Sequence, residues 1–240
     1  MTRFVRAGAL GGAIGGVALA LVLRLLGEPS IRDAIALETS RSGQQAEVFT
    51  RAVQEAGGVA GAVLYGIVAG VVLGVVLAAV RHRMSATTDW RRAISLGIAS
   101  FVTVALIPFL KYPANPPAVG DPSTITRRTT LYVIVLAWSL VATLVTWRAH
   151  RWLRSRHTAE HVSASAAVLL YLAMVVIAFV VLPGTPDAVD VPATLLWRFR
   201  LASLGGAFAF WLVTGLGIGW LLERGATVSD DARAGKLIDA

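Results

Sequence analysis

The sequence predicts an all-α fold, a polytopic membrane helical bundle of six transmembrane helices. Apolar residues make up 56% of the 240 residues and charged residues only 15%, whereas about a quarter of a typical soluble domain is charged. The apolar residues also form six long blocks, and an uncharged block of about 18 residues or more can cross the hydrocarbon as a helix. We therefore expect one integral membrane domain over residues 1–240.

The first apolar block follows Arg3 and Arg6, as the apolar stretch of a secretory signal also does. Because its apolar run continues past Ala20, we interpret it as a retained transmembrane helix. The six blocks place the helices at about 4–26, 57–80, 93–110, 129–147, 162–182 and 201–222.

The first two predicted helices carry a glycine at every fourth position. Such glycines share one helix face, and in lipid they let two backbones approach closely. We expect these faces to serve tight helix packing. The glycines are Gly8, Gly12 and Gly16 in the first helix and Gly66, Gly70 and Gly74 in the second.

The longest polar stretch, residues 24–56, is predicted to form two short surface helices. Pro29 suits a first helical turn, and Ser30 with Asp33 resembles a capping box. Gly43 then breaks the first of these helices. We expect both to lie over the outer mouth of the bundle or flat on the lipid headgroups.

A segment of the chain occurs twice, at a constant offset of seventy residues. The copies begin at Phe109 and Phe179, share eight identities without a gap, and each lies between two apolar blocks. This pattern predicts a parallel repeat of helices 3–4 and 5–6, two hairpins with proline-stiffened connectors, as in many transport proteins; chance alignment is the alternative. The motif residues are Pro113, Pro116, Pro122 and Arg128 in the first copy and Pro183, Pro186, Pro192 and Arg198 in the second.

The distribution of arginine predicts the orientation. Connectors 81–92 and 148–161 each hold four arginines, and cytoplasmic loops of membrane proteins carry the excess of Lys and Arg. We therefore place these connectors and both chain termini on the cytoplasmic side. Both copies of the proline motif then lie outside.

Most catalytic chemistry is excluded by the residues themselves. The chain has no cysteine, and it lacks a Gly-rich phosphate loop and the usual serine-hydrolase and zinc-protease motifs, so we do not expect an enzyme. The net charge of +8 lies in short loops beside the helices. Insertion rules and lipid headgroups account for it there, so we expect no nucleic-acid binding.

Two groups of side chains are candidate metal ligands. Outside, Glu28, Asp33 and Glu38 offer oxygen ligands of the kind that divalent ions accept. Inside, His157 and His161 are four residues apart and would share a helix face as paired imidazole ligands. Each group has an alternative interpretation: the acids pair with surface arginines, and the histidines of a juxtamembrane loop are solvated.

The uncharged cores of the six blocks contain no Asp, Glu, Lys, Arg or His, although ion-coupled transporters normally keep such groups at depth. Hydroxyls remain, among them Thr103, Ser139 and Thr143, and such groups often bond back to their own helix. Any transport would therefore need a partner subunit or the backbone of broken helices.

A proline-rich segment beginning at Lys111 is the most distinctive local motif of the sequence. Lys111 can extend toward the membrane surface, Tyr112 lies at the height of the aromatic belt, and Asn115 can bond neighbouring backbone. We expect these three residues, together with Glu28 and Glu38, to line the entrance for a solute. Membrane anchoring is the alternative.

Three runs of residues also match a known family: Glu28-Pro29 with residues 34–38, residues 48–51, and residues 111–117 with Arg127, Arg128 and Tyr132. Together they resemble the CbtA family of predicted cobalt transporter subunits, and the likeness extends from the first helix to the last. The resemblance implies cobalt uptake by bacteria that make or use cobalamin. It also implies a small single-span partner, CbtB, with a histidine-rich end.

The sequence thus predicts a membrane subunit of a divalent metal uptake transporter, with cobalt as its cargo, in the bacterial inner membrane. No permanently bound cofactor is expected. A non-transporting scaffold that joins another membrane complex through its glycine faces, and a permease for an organic solute, are the alternatives. The expected partners are the lipid bilayer and a CbtB-like subunit. The sequence leaves open whether the chain also forms a homo-oligomer.

Overall fold

The computed structural model describes residues 1–42, 50–117, 119–184 and 190–238, which contain no strand. Six helices of this part are long and apolar enough to cross a membrane, which confirms the predicted all-α membrane bundle. We label them α1 (Thr2–Arg41), α2 (Arg51–Arg83), α3 (Asp89–Lys111), α4 (Ile125–Ser155), α5 (Glu160–Val181) and α6 (Ala193–Gly225). Beyond its apolar part, α6 continues as a helix to Ile238.

The first helix continues through the segment that was predicted to form separate surface helices. Its α-helical parts, Thr2–Val22 and Glu28–Ser42, are joined without a break by the π-helical turn Leu23–Gly27. The first predicted surface helix is therefore wrong as a separate element. Of the second, the described part from Arg51 onward belongs to α2, and residues 43–49 lie outside the described residues.

Proline accounts for the π-helical turn in α1. Glu28 donates its N–H to the carbonyl of Leu23, five residues back, and Pro29 follows with no N–H to donate. Widening the helix by one residue before a proline reduces the clash of its ring with the preceding turn. The helix can therefore pass Pro29 without ending.

The glycine faces of α1 and α2 pack against each other. A Cβ added at Gly12 would lie 2.8 Å from the Cα of Gly70, and one added at Gly16 would lie 2.8 Å from the Cα of Val63. Only glycine permits this backbone contact, because a side chain on either helix would clash with the backbone of the other. In lipid no hydrophobic force holds two helices together, so close packing of this kind drives their association. These faces are thus used within the chain and are not available to an external partner.

The other helices are arranged around this pair. The last helix, α6, packs on α1 and α3, whereas α5 packs mainly on α4. The main core lies between α1, α2, α3 and α6 and is formed by Phe4, Ala7, Leu73, Leu77, Ala93, Phe210, Trp211, Ile218 and Leu222. The parallel repeat of helices 3–4 and 5–6 stays a prediction.

Candidate translocation path

The two proline-rich connectors lie together at one end of the bundle. The ammonium of Lys111 donates to the carbonyls of Phe179 (2.9 Å) and Leu182 (2.7 Å), and the Tyr112 hydroxyl donates to the carbonyl of Pro183 (2.8 Å). Lys111 thus satisfies carbonyls at the C-terminus of α5, where helical donors are lacking and a cation is favoured. These charged hydrogen bonds hold the first connector against the beginning of the second.

Tyr112 is 8% exposed in this contact. Burial raises the pKa of its phenol, and the nearby charge of Arg127 offsets only part of that effect. The hydroxyl is therefore protonated at neutral pH and remains a donor to Pro183. Of the proline motif, Pro113 and Pro116 line the cavity described next, while Pro186 lies outside the described residues.

A cavity of about 600 Å³ opens beside the first connector, between α3, α4 and α6. We call it the outer cavity. Asn115 lies in its wall and is fixed by Arg200 of α6, whose Nη2 donates to the Asn115 Oδ1 at 3.0 Å. Arg200, which sequence analysis missed, also donates to the carbonyl of Ala114. The polar residues that line the cavity are Tyr112, Asn115, Arg128, Thr129, Tyr132 and Ser203.

The acids predicted as outer metal ligands do not enter the outer cavity. Glu28, 9% exposed, accepts hydrogen bonds from Arg32 Nε (3.0 Å) and from Arg51 Nη2, which lies 2.7 Å from both carboxylate oxygens. Both oxygens of Glu28 are thus occupied by guanidinium groups. Among the described residues, no three His, Asp or Glu side chains lie close enough to hold a metal ion.

Asp33, which is exposed, lines one cleft together with Glu28 and Arg32 and a second cleft with Pro192 and Arg198. Glu38 lies further along the same helical extension of α1, half-buried. Of the five predicted entrance residues, the structure therefore brings Lys111, Tyr112 and Asn115 together and places Glu28 and Glu38 elsewhere.

Replacing Arg51 with glutamine should destabilise the protein by about 2 kcal/mol, because Glu28 would keep its buried charge and lose its bidentate partner. Arg41→Gln is the matched control at the same end, since Arg41 pairs with Asp190, whose side chain is 93% exposed. A pair of that kind contributes about 0 to 1 kcal/mol. Unfolding by SDS, followed by tryptophan fluorescence, measures both, and equal losses would contradict the interpretation.

The two histidines predicted as inner ligands do not share a helix face. The helix α4 ends at Ser155, His157 has a positive φ of 61° in the following turn, and His161 lies in the first turn of α5. That expectation is wrong because α4 ends before His157 and the next helix begins only at Glu160. Both side chains are exposed.

A second π-helical segment, Phe101–Leu106, interrupts α3 deep in the bundle. Ile107 donates its N–H to Val102, five residues back, and Pro108 has no N–H. The amide of Ile107, which would bond the Thr103 carbonyl in a regular α-helix, is therefore engaged elsewhere, and the following proline offers no amide in its place. The helix α3 stays continuous through this segment, but the Thr103 carbonyl is left without its usual backbone donor.

Hydroxyl groups connect this segment to α4. Thr143 donates to the carbonyl of Ser139 at 3.0 Å, and the hydroxyls of Thr143 and Thr103 are 2.8 Å apart. Because the Thr143 hydrogen is used on Ser139, Thr103 must donate to Thr143. The Thr103 oxygen thus keeps acceptor capacity, although this residue is only 5% exposed.

The Thr143 hydroxyl belongs to a polar stripe along α4. At 100° per residue, all members fall within one narrow face of the helix. Sequence analysis singled out four of them for separate reasons but missed their shared face, which the recurrence of polar residues at intervals of three, four and seven could have revealed. The polar stripe consists of Arg128, Tyr132, Ser139, Thr143, Thr146 and His150.

The polar stripe runs from the outer cavity to a second cavity at the opposite end. Arg128 and Tyr132 line the outer cavity, and His150 lines the second, of about 620 Å³, together with Ser95 and Glu160. We call the second one the inner cavity. Buried polar atoms nearly always have a partner, yet Thr146 Oγ1 and His150 Nδ1 find none among the described residues. These two atoms are suited to water or an ion.

Comparison with known proteins identifies the family of the chain. A family model described as probable cobalt transporter subunit (CbtA) matches residues 1–223, nearly the whole sequence. No curated protein and no solved structure matches the chain. The family match confirms the resemblance inferred from the sequence, and the chain belongs to the CbtA family of probable cobalt transporter subunits.

Proposed function

We propose that this chain forms the membrane-spanning path of a cobalt uptake transporter, and that Co²⁺ crosses along the polar stripe of α4. One observation carries the proposal: polar groups recur on a single helix face between two cavities at opposite ends of the bundle. Polar residues inside a membrane protein mark ion and substrate pathways because their burial is costly.

The donors along the polar stripe suit a passing divalent ion. They are the neutral oxygens of Ser139 and Thr143, with Thr103 of α3 beside Thr143, followed by the imidazole of His150 at the inner cavity. Cobalt accepts both oxygen and imidazole ligands. Conduction requires sites that bind an ion weakly enough to release it, and neutral donors meet that condition better than carboxylates would.

A second subunit would supply the stronger ligands. The described residues form no cluster of three ligating side chains, so capture of a scarce metal requires another chain. The small single-span, histidine-rich partner that the family resemblance implies fits this need. Its helix has a surface to bind, because α5 packs mainly on α4 and exposes Leu169, Leu172 and Val176.

The proposed direction of transport follows from charge. The inner cavity is lined by Arg83, Arg151 and Arg154, and Lys and Arg accumulate on the cytoplasmic side. The connectors and the outer cavity then face outward, with both chain termini in the cytoplasm. Cobalt would enter beside Tyr112 and Asn115 and leave beside His150.

Cobalt accumulation in cells tests this function. Cells that lack their own cobalt importers would express the chain alone, the histidine-rich partner alone, or both. We expect radioactive cobalt to accumulate well above the empty-vector level only when the chain and the partner are present together. A protease-protected tag at either chain terminus would check the orientation in the same cells.

Equal cobalt uptake with and without this chain, in the presence of the partner, would overturn the proposal. Stable copurification with a different membrane complex, without any effect on uptake, would favour a scaffold instead. Uptake by the chain alone would retain the path and remove the need for the partner.

A further inference from the structure

We infer that the outer cavity receives cobalt as an anionic carboxylate chelate instead of as the free aqua ion. This inference rests on the proposed uptake function and names the form of its substrate. Charge, size and hydrogen-bonding capacity of the outer cavity support it independently of one another.

The charge of the outer cavity opposes a free dication. Arg128 lines it, Arg200 lies directly behind Asn115, and no carboxylate is among its described lining residues. Asp121, which interacts with Arg128, is exposed on the connector. A divalent cation would therefore approach like charge, whereas a chelate of net negative charge would be attracted.

The outer cavity is also large for an ion. Six coordinated waters at about 30 Å³ each occupy about 180 Å³, and the outer cavity measures about 600 Å³. Its volume falls within the range of about 300 to 1,000 Å³ that is typical of sites for small organic molecules. A metal complex with an organic ligand fits this space better than a hydrated ion.

The polar groups of the wall are suited to carboxylate oxygens. Because Asn115 Oδ1 accepts from Arg200, its NH₂ group is the one left to donate to a ligand. The Arg128 guanidinium offers the charge-assisted hydrogen bonds that carboxylates prefer. Hydroxyls of Thr129, Tyr132 and Ser203 add further donors to a wall that is otherwise mainly apolar.

The outer cavity adjoins the place where a released metal could enter the polar stripe. Ala105 lines it and belongs to the π-helical segment, two residues from Thr103. The carbonyl and hydroxyl oxygens of Thr103 are thus the next donors inward. Docking of the chelate and passage of the ion would occur at neighbouring positions.

Binding to the purified full chain in lipid nanodiscs tests the inference, with three probes: cobalt chloride, cobalt citrate and citrate alone. We expect the cobalt citrate complex to bind at least about tenfold more tightly than either other probe in calorimetry. Arg128→Gln should weaken its binding by about tenfold or more, as loss of a charged hydrogen bond does. Arg156→Gln, at the opposite end of α4, is the control and should bind like the unmodified chain.

Tyr132→Phe provides a second variant in case Arg128→Gln does not fold, and should weaken binding of cobalt citrate by about threefold to tenfold. Cobalt chloride or citrate alone binding as tightly as the complex would overturn the inference. So would unchanged binding of the complex in both cavity variants. If cells accumulate cobalt through the chain but the complex does not bind, only this inference fails; absence of uptake would remove the function itself.

Discussion

Replacing Thr143 with valine should reduce cobalt uptake about fivefold to tenfold at an unchanged amount of protein in the membrane. The hydroxyl of Thr143 bonds the Ser139 carbonyl and accepts from Thr103. Valine keeps the shape but removes the central oxygen of the polar stripe. A lost hydrogen bond of about 1 to 1.5 kcal/mol corresponds to that decrease in rate when it contributes to the rate-limiting step.

Thr130→Val is the matched control for this prediction. Thr130 lies in the same helix and makes the same type of bond, to the carbonyl of Thr126 four residues back at 2.9 Å, but its side chain is exposed. We expect uptake by this variant to equal that of the unmodified chain. If Thr143→Val transports cobalt equally well, the ion does not follow the polar stripe.

Replacing Gly12 with alanine should destabilise the bundle by about 2 to 3 kcal/mol, near the upper end for an overpacked core. The added Cβ would lie 2.8 Å from Gly70 Cα and 2.9 Å from the carbonyl carbon of Gly66. Both are backbone atoms, so no side chain can rotate away. Relief requires that α1 and α2 separate, which would disturb the packing of α6 on α1 as well.

Gly61→Ala separates this steric effect from the general effect of a methyl group on a helix. Gly61 lies in α2, and a Cβ added there meets nothing within 4 Å. SDS titration of the two variants should show a clear loss for Gly12→Ala and little change for Gly61→Ala. Similar behaviour of both would mean that the close contact of α1 and α2 contributes little to stability.

The acids and histidines show how far composition can mislead about a site. Glu28 looked like an oxygen ligand because acids of an outer loop can bind divalent ions, but the continuous helix α1 brings it against Arg51 of α2. His157 and His161 looked like a pair because their spacing fits a helix, but the helix ends before them. Both errors arise from contacts or helix ends that local sequence does not specify.

Local sequence is sufficient to specify the class of fold, the number of transmembrane helices and the family. Hydrophobic blocks long enough for the bilayer and glycines at every fourth position act through local chemistry, so the amino-acid order alone reveals them. The contacts between polar groups, in contrast, arise only from the packing of the helices. Lys111 meets the end of α5, Arg200 meets Asn115, and Thr103 meets Thr143, because each contact depends on the relative placement of two helices, which no local pattern encodes.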